Sequence, residues 1–543
     1  MEDIIKKLTL LKPAEAWSFF EQLCNNPRDV QANILADILS RNASCEIGKE
    51  NQFESIEDVV SYQKKLPISA WPDYIDYSIK MQNGAKDQIF MGSPIAFLST
   101  SGTSGLKKQI PETERNLQAK MITEKLRRHI LFSRFPDILK TKIFPMVNPA
   151  EASLTPAGIP IGSASGLSMK HSDKALLSLI AFPNAVYKLK NQEEQDYLIM
   201  RFAIEQNVGF ILGNNLARMS KLVKLAQDYA AQIIEDIERG SIAVHININK
   251  DLREELLAKL KPNKERAQEL RELSKNINDF IPSNYWQNLQ LISCWLSGSV
   301  GAWIETVKPL FGAQTSYYDY GFGASEGKFN IPHRESQSSG ILAIHAAFYE
   351  FIPFGDHSKQ ILLAHELEIG KEYEMIITNN AGLYRYQMFD IIRVEGFFRN
   401  TPEIVFVSKS GDVGDLVGER LAGSIIGRVL HNAFANEDIA IEFACAVTIQ
   451  NPPHYVFCVE AKEQNVHVDL GKMADIVDQI FRQETGYNLM RRDDLLGKSE
   501  LRLMKRGWVE DLYKKKTKGN SRSQIKLPLV YKNQIPSSAF LID

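Results

Sequence analysis

Cysteine is scarce in this 543-residue sequence: the five present, Cys24, Cys45, Cys294, Cys445 and Cys458, are scattered and form no CxxC pair. That argues against a zinc site or a disulfide framework and fits a reducing compartment. No uncharged run approaches the ~20 residues of a membrane span, and residues 1–11 carry acids and lysines where a signal peptide has an apolar core. A soluble, cytoplasmic protein with no membrane partner is expected. An excess of either charge is also missing. With 64 basic and 66 acidic residues the net charge is −2, so no overall field draws in nucleic acid. The GxxxxGK[ST] spacing of a Walker loop is absent as well. Small molecules become the default partners.

What is present is ordinary globular sequence, 44% hydrophobic and 24% charged, in a chain too long for one core. Apolar residues recur at helical steps over residues 14–39; residues 95–98 read as a buried strand and 114–132 as a helix. Helical periodicity continues over 221–237 and 252–273, the latter broken by Pro262. The charged stretch 252–275 reads as a solvated helix face. From Leu289 short strand-like runs alternate with Gly-rich turns. A strand at 404–407 leads into SKSGDVGDLVGERL, suited to a hinge, and the remainder alternates strands (446–449, 455–459) with a helix (473–481). The pattern predicts an α/β fold: a large multi-sheet domain, residues 1–411, and a small α+β lid domain, residues 412–543.

Three stretches carry candidate chemistry. Ser99, Thr100, Ser101, Gly102, Thr103, Ser104 and Gly105, followed by Lys107 and Lys108, offer backbone N–H groups, hydroxyls and cations to a polyphosphate. The residues alone leave a Ser/Gly-rich turn equally open. The second stretch is Phe322, Gly323, Ala324, Ser325 and Glu326: an aromatic face for adenine, then a carboxylate for the Mg²⁺ that bridges phosphates. A solvated turn glutamate is the alternative. In the third, GLYRYQMFD, Asp390 ends a turn before Ile391 and Ile392; it would accept ribose hydroxyls or simply cap the turn.

In this order the stretches resemble the adenylate-forming superfamily of acyl-CoA synthetases and luciferases, whose motifs read SGTTGxPK, YGxTE and YxTGD. Within it the chain is most similar to the Gretchen Hagen family of acyl acid amido synthetases, with SSGTS, YxxSExxFGxN and GLYRYRxGD followed by RVxGFxNxxPxxxFV. Phe322 replaces the usual Tyr and Phe389 the usual Gly. The likeness extends over nearly the whole chain. It implies a luciferase-like large domain and a mobile lid. It also implies an ATP-dependent, Mg²⁺-dependent ligase that activates a small carboxylic acid as acyl-AMP and conjugates it to an amino acid. QIKLP at 524–528 resembles the family's QYKTPR, which makes Lys526 the catalytic lysine beside Glu326. The acyl pocket is expected from the segment after the first motif and from residues 155–165. His129, His333 and His345 are the candidate bases for the amine. A coenzyme A ligase and a silent nucleotide-binding regulator are the alternatives.

Overall fold

Three helices open the chain, Ile4–Leu10, Pro13–Leu23 and Pro27–Asn42. Proline begins the second and third, where its missing N–H costs no hydrogen bond. The Asp3 carboxylate caps the first by accepting from Lys6 N at 3.0 Å. In this computed structural model the described residues are 3–542 apart from 101–107, 148–150, 190, 214–215, 298–303, 355–359, 411–412, 415, 418, 420, 464–467, 484, 493 and 517–526.

The buried faces of these helices (Ile5, Leu8, Phe20, Ile34, Leu35, Ile38) share a core with a seven-stranded sheet. Its order is Leu362–Leu363, Ala347–Pro353, Glu372–Asn379, Tyr386–Phe398, Thr401–Lys409, Gly340–Leu342, Asn330–Ile331, every pair antiparallel. Gln31 pins the third helix to it: its amide donates to the carbonyls of Ile344 (2.7 Å) and Ala347 (2.8 Å) and accepts from Tyr349 N (2.8 Å). A buried amide with its hydrogen bonds made fixes one seating, since any other leaves them unmade.

A second sheet is wholly parallel: Lys142–Met146, Val208–Gly213, Leu291–Cys294 and Ser316–Asp319. Its strands are almost continuously buried and therefore read as unbroken apolar runs. A third holds the hairpin Ala96–Thr100 and Lys108–Glu112, with Pro160–Gly162 parallel to the first strand. After Thr113, whose hydroxyl caps its N-terminus, the 21-residue helix Glu114–Arg134 packs on the large sheet's core through Ala119, Ile122 and Leu126.

From Leu421 onward the chain forms separate apolar clusters on the two faces of a fourth sheet, in the order Glu500–Met504, Pro453–Ala461, Ile441–Gln450, Val530–Lys532. Helices Gly423–Ala435 and Leu470–Phe481 cover one face, and Trp508–Lys516 covers the other. Among the described residues no helix is long and apolar enough to cross a membrane.

Two readings from periodicity need correction. Residues 221–237 are not one helix but parts of two, Ala217–Asp228 and Ala230–Arg239, parting at Tyr229 (φ −107°, ψ 18°). The Tyr229 ring stacks on His245 at 5.8 Å and its hydroxyl donates to Glu193 Oε1 at 3.1 Å, a tertiary pull that periodicity cannot register. Asp390 does not end a turn. It lies within the long strand Tyr386–Phe398.

His345, a candidate base, is instead a core residue with no exposed surface. Its Nε2 shares a hydrogen bond with Thr123 Oγ1 (3.1 Å), and its ring stands edge-on to Phe20 at 5.6 Å. Burial pulls its pKa down to about 4. As pH falls from about 6.5 to about 4, the unfolded chain takes up a proton there and the folded chain does not. The stability His345 confers is therefore complete above about pH 6.5 and is lost on acidification toward pH 4. His345→Gln should remove up to roughly 3 kcal/mol of that acid-side slope in urea unfolding; an identical slope would assign the titration to other groups.

Candidate active site

The first motif spans the tip of the hairpin. Ser99 pairs with Gln109, and Thr100 with Lys108, at the end of the stem. Ser101, Gly102, Thr103 and Ser104 lie outside the described residues, as does Lys526.

The second motif is a tight turn that glycine makes possible. Ala324 N donates to Gly327 O (2.9 Å), and Phe329 N to Phe322 O (2.9 Å), while a Cβ on Gly327 would stand 2.6 Å from the Phe329 ring. Two carbonyls bolt the turn down. Ser325 O accepts from Lys120 Nζ at 2.6 Å, and Glu326 O from Asn379 Nδ2 at 2.8 Å and Asn116 Nδ2 at 3.4 Å. Lys120 also pairs with Glu112 at 2.5 Å, and Asn116 Nδ2 donates to the same carboxylate at 2.8 Å. Helix Glu114–Arg134 thus ties the hairpin stem to the turn. Phe322 is committed to packing first: Phe406 stacks on it at 5.2 Å and Phe329 tilts against it at 5.1 Å, leaving 9% of it exposed. Any adenine contact is limited to that remainder.

The third motif is a latch. Gly382 (φ +81°) passes Ile89 so closely that a Cβ would meet its carbonyl at 2.6 Å. Tyr384 N donates to Tyr74 Oη at 2.8 Å, and Ser69 Oγ donates to Tyr384 O at 2.7 Å. Arg385, at φ +46°, grips Glu350 with Nε and Nη2 (3.0 and 2.9 Å) and the carbonyls of Gln63 and Leu66 with Nη1 (2.9 and 2.6 Å). Phe389, which stands where the family motif has Gly, has a left-handed backbone at φ +56°, a conformation strained for a bulky side chain.

Tyr386 joins the three motifs. Lys108 Nζ donates to its oxygen at 3.0 Å. Burial, the hydrogen-bonded Glu326 carboxylate and the charge of Asp390 all push its phenol well above the ordinary range. Glu326 is 6% and Asp390 1% exposed. The sequence reading missed Tyr386, the strand residue Glu112 and the helix residues Asn116 and Lys120. Polar residues at three- and four-residue steps on a helix that also presents Ala119, Ile122 and Leu126 were the available signal.

Beside the turn, Glu124 pairs with Lys328 and with Arg127 Nη2 (2.8 Å). Arg127 and Lys328 both lie over the Tyr320 ring, 4.9 and 4.2 Å from its centroid. A cavity of about 40 Å³ follows, lined by Met121, Arg127, Arg128, Ser165, Ser168 and Tyr320. The expected segments contribute Ser165, whereas Thr155 holds a turn through its hydroxyl, which accepts from Ile159 N at 3.0 Å. His129 packs against Trp17, and His333 is held 3.4 Å from Glu403. None of the three histidines lines this cavity.

The Glu326 carboxylate could hold a divalent cation, but among the described residues no cluster of three or more His, Cys, Asp or Glu side chains is placed to hold one unaided.

The comparisons agree with this architecture. The GH3 family N-terminal, central and C-terminal domains match residues 16–315, 340–409 and 427–535. The chain belongs to the GH3, or Gretchen Hagen, family. Among its relatives, a probable indole-3-acetic acid-amido synthetase, GH3.1 of Arabidopsis thaliana, is 26% identical over 95% of this chain and 91% of its own. Jasmonoyl-L-amino acid synthetase JAR4 of Nicotiana attenuata is 22% identical over 93% and 91%. The solved GH3.15 acyl acid amido synthetase superposes with a TM-score of 0.81 at 20% identity, covering 97% of this chain and 96% of that one.

Arg385→Met should leave Glu350 charged and buried without its partner, at a cost of about 3 to 5 kcal/mol. Arg385→Met combined with Glu350→Leu should recover part of that loss in urea unfolding. A single replacement costing under about 1 kcal/mol would remove the latch from the fold's foundations.

Proposed function

We propose that the chain joins a small carboxylic acid to an amino acid in two steps driven by ATP. The observation that carries this reading is the meeting of Lys108, Glu326 and Asp390 at Tyr386, in a chain of this family. In the first step a carboxylate oxygen attacks the α-phosphorus, and the bond to pyrophosphate breaks. The hydroxyl and glycine loop from Ser99 to Ser104 holds phosphates, Asp390 the ribose, and what remains open of Phe322, with Gly323, Ala324 and Ser325, the adenine. Glu326 would hold Mg²⁺, which offsets phosphate charge when bound. Lys526, brought by the lid of residues 412–543, offsets charge developing on the phosphoryl oxygens. In the second step the amine nitrogen attacks the acyl carbon; AMP leaves with the bonding electrons and the amine loses its proton.

The acid's carboxylate sits at the 40 Å³ cavity, whose volume is little more than one water's share of about 30 Å³. Its two arginines favour a carboxylate. A cytoplasmic setting suits the chain's substrates and its five buried cysteine thiols. The test is incubation with ATP and a panel of acids, followed separately by amino acids or coenzyme A, with products weighed by mass spectrometry. An amide is expected. A thioester would make the chain a coenzyme A ligase, and no pyrophosphate with any acid would make it a silent nucleotide binder.

Glu326→Gln should fold normally and lose acid-dependent pyrophosphate release, because an amide binds a hard cation poorly; near-normal release would take Glu326 out of the site. Lys526→Ala should slow acyl-AMP formation by about 10²-fold or more while leaving transfer from pre-formed acyl-AMP close to wild type. Equal loss in both half-reactions would mean that Lys526 supports structure.

A further inference from the structure

Helix Glu114–Arg134 has another face. Gln118, Met121 and Lys125 line a cavity of about 660 Å³, a volume typical of small-ligand sites. Its walls are largely apolar, with Leu11, Ile95, Leu117, Ile122 and Leu167. Ser99, Phe322, Glu326, Tyr386 and Asp390 are not among its lining residues.

Both lysines at this cavity are already engaged. Lys125 Nζ donates to the carbonyls of Leu8 (2.8 Å), Thr9 (2.9 Å) and Leu11 (3.0 Å), closing the end of helix Ile4–Leu10. Lys170 pairs with Glu151 at 2.5 Å. Arg128 is different: among the described residues it makes no hydrogen bond or ion pair. Burial and the neighbouring Arg127 both disfavour its charge; Asp173, which lines the same cavity, and Tyr320 favour it through charge alone, without a hydrogen bond. A guanidinium stays protonated even so, and an anion is the partner that relieves it.

We propose that this cavity is a second binding site, for an organic carboxylate with an extended apolar body, and that Arg128 anchors its carboxylate. Arg128 and Met121 also line the 40 Å³ cavity on the neighbouring face of the helix. One guanidinium therefore serves two spaces. A carboxylate that draws Arg128 into the larger cavity withdraws it from the smaller one, so each occupant weakens the other reciprocally. That coupling rests on the acid-activation reading; binding in the larger cavity does not.

Decanoate is the probe, titrated calorimetrically into the full chain without ATP. Saturable binding at one site is expected, with decanol and decylamine about tenfold weaker or worse, the scale of one charge-assisted contact. Arg128→Gln should weaken decanoate by the same factor. Gln118→Trp, or Thr9→Trp from the opposite wall should the first not fold, should fill the cavity and abolish binding at an unchanged melting temperature. Ser168→Phe, confined to the smaller cavity, should leave decanoate affinity within about twofold. No binding, equal binding of decanol, or an unaffected Arg128→Gln would each overturn the proposal. Loss in Ser168→Phe with retention in the tryptophan variants would place the ligand in the smaller cavity and overturn it too. Absence of pyrophosphate release with every acid would instead defeat the acid-activation reading alone.

Discussion

The buried pair of Arg385 and Glu350 is the constraint on which the site's geometry depends. Both side chains are 3% exposed or less, where an ion is tolerated only if its partners are complete. Completion requires three separate parts of the chain at once: the end of helix Val59–Lys65, the strand Ala347–Pro353, and the loop after Asn379. Such a pair gives little net stabilisation over an apolar packing, but it discriminates sharply against near-miss arrangements. Tyr386 is the next residue, so the placement of its phenol relative to Lys108, Glu326 and Asp390 is inherited from the pair.

Helix Glu114–Arg134 does for the second motif what that pair does for the third. Its first two turns reach Glu112 on the hairpin and the carbonyls of Ser325 and Glu326; its third reaches Glu124's partners Lys328 and Arg127. Backbone carbonyls are good anchors because they hold a turn without consuming its side chains. The Glu326 side chain is left to face Tyr386 while its own main chain is fixed elsewhere.

The motifs were legible in the sequence because their chemistry is local: hydroxyls beside glycines, an aromatic four residues before a carboxylate. The fold class was legible from strand and helix periodicity. Their supports were not, since Lys120 and Ser325 lie 205 positions apart and Asn379 and Glu326 lie 53 apart. Nothing in the spacing of either residue announces the other. The same limit explains Asp390. Its neighbours read as a turn, and the pairing of its strand with Thr401–Lys409, a long-range matter, decides otherwise. Phe389 was legible as a departure, but its left-handed backbone was not, because dihedral angles are not written in composition.

Gln31 carries an implication for biogenesis. Its hydrogen-bond partners at Ile344 and Ala347 lie 313 and 316 residues further along. At a synthesis rate of roughly 5 to 20 residues per second, the third helix waits about 15 to 60 seconds for the strand that receives it. During that interval its apolar flank has no native cover, and a nascent chain of this kind is a natural client for ribosome-associated chaperones.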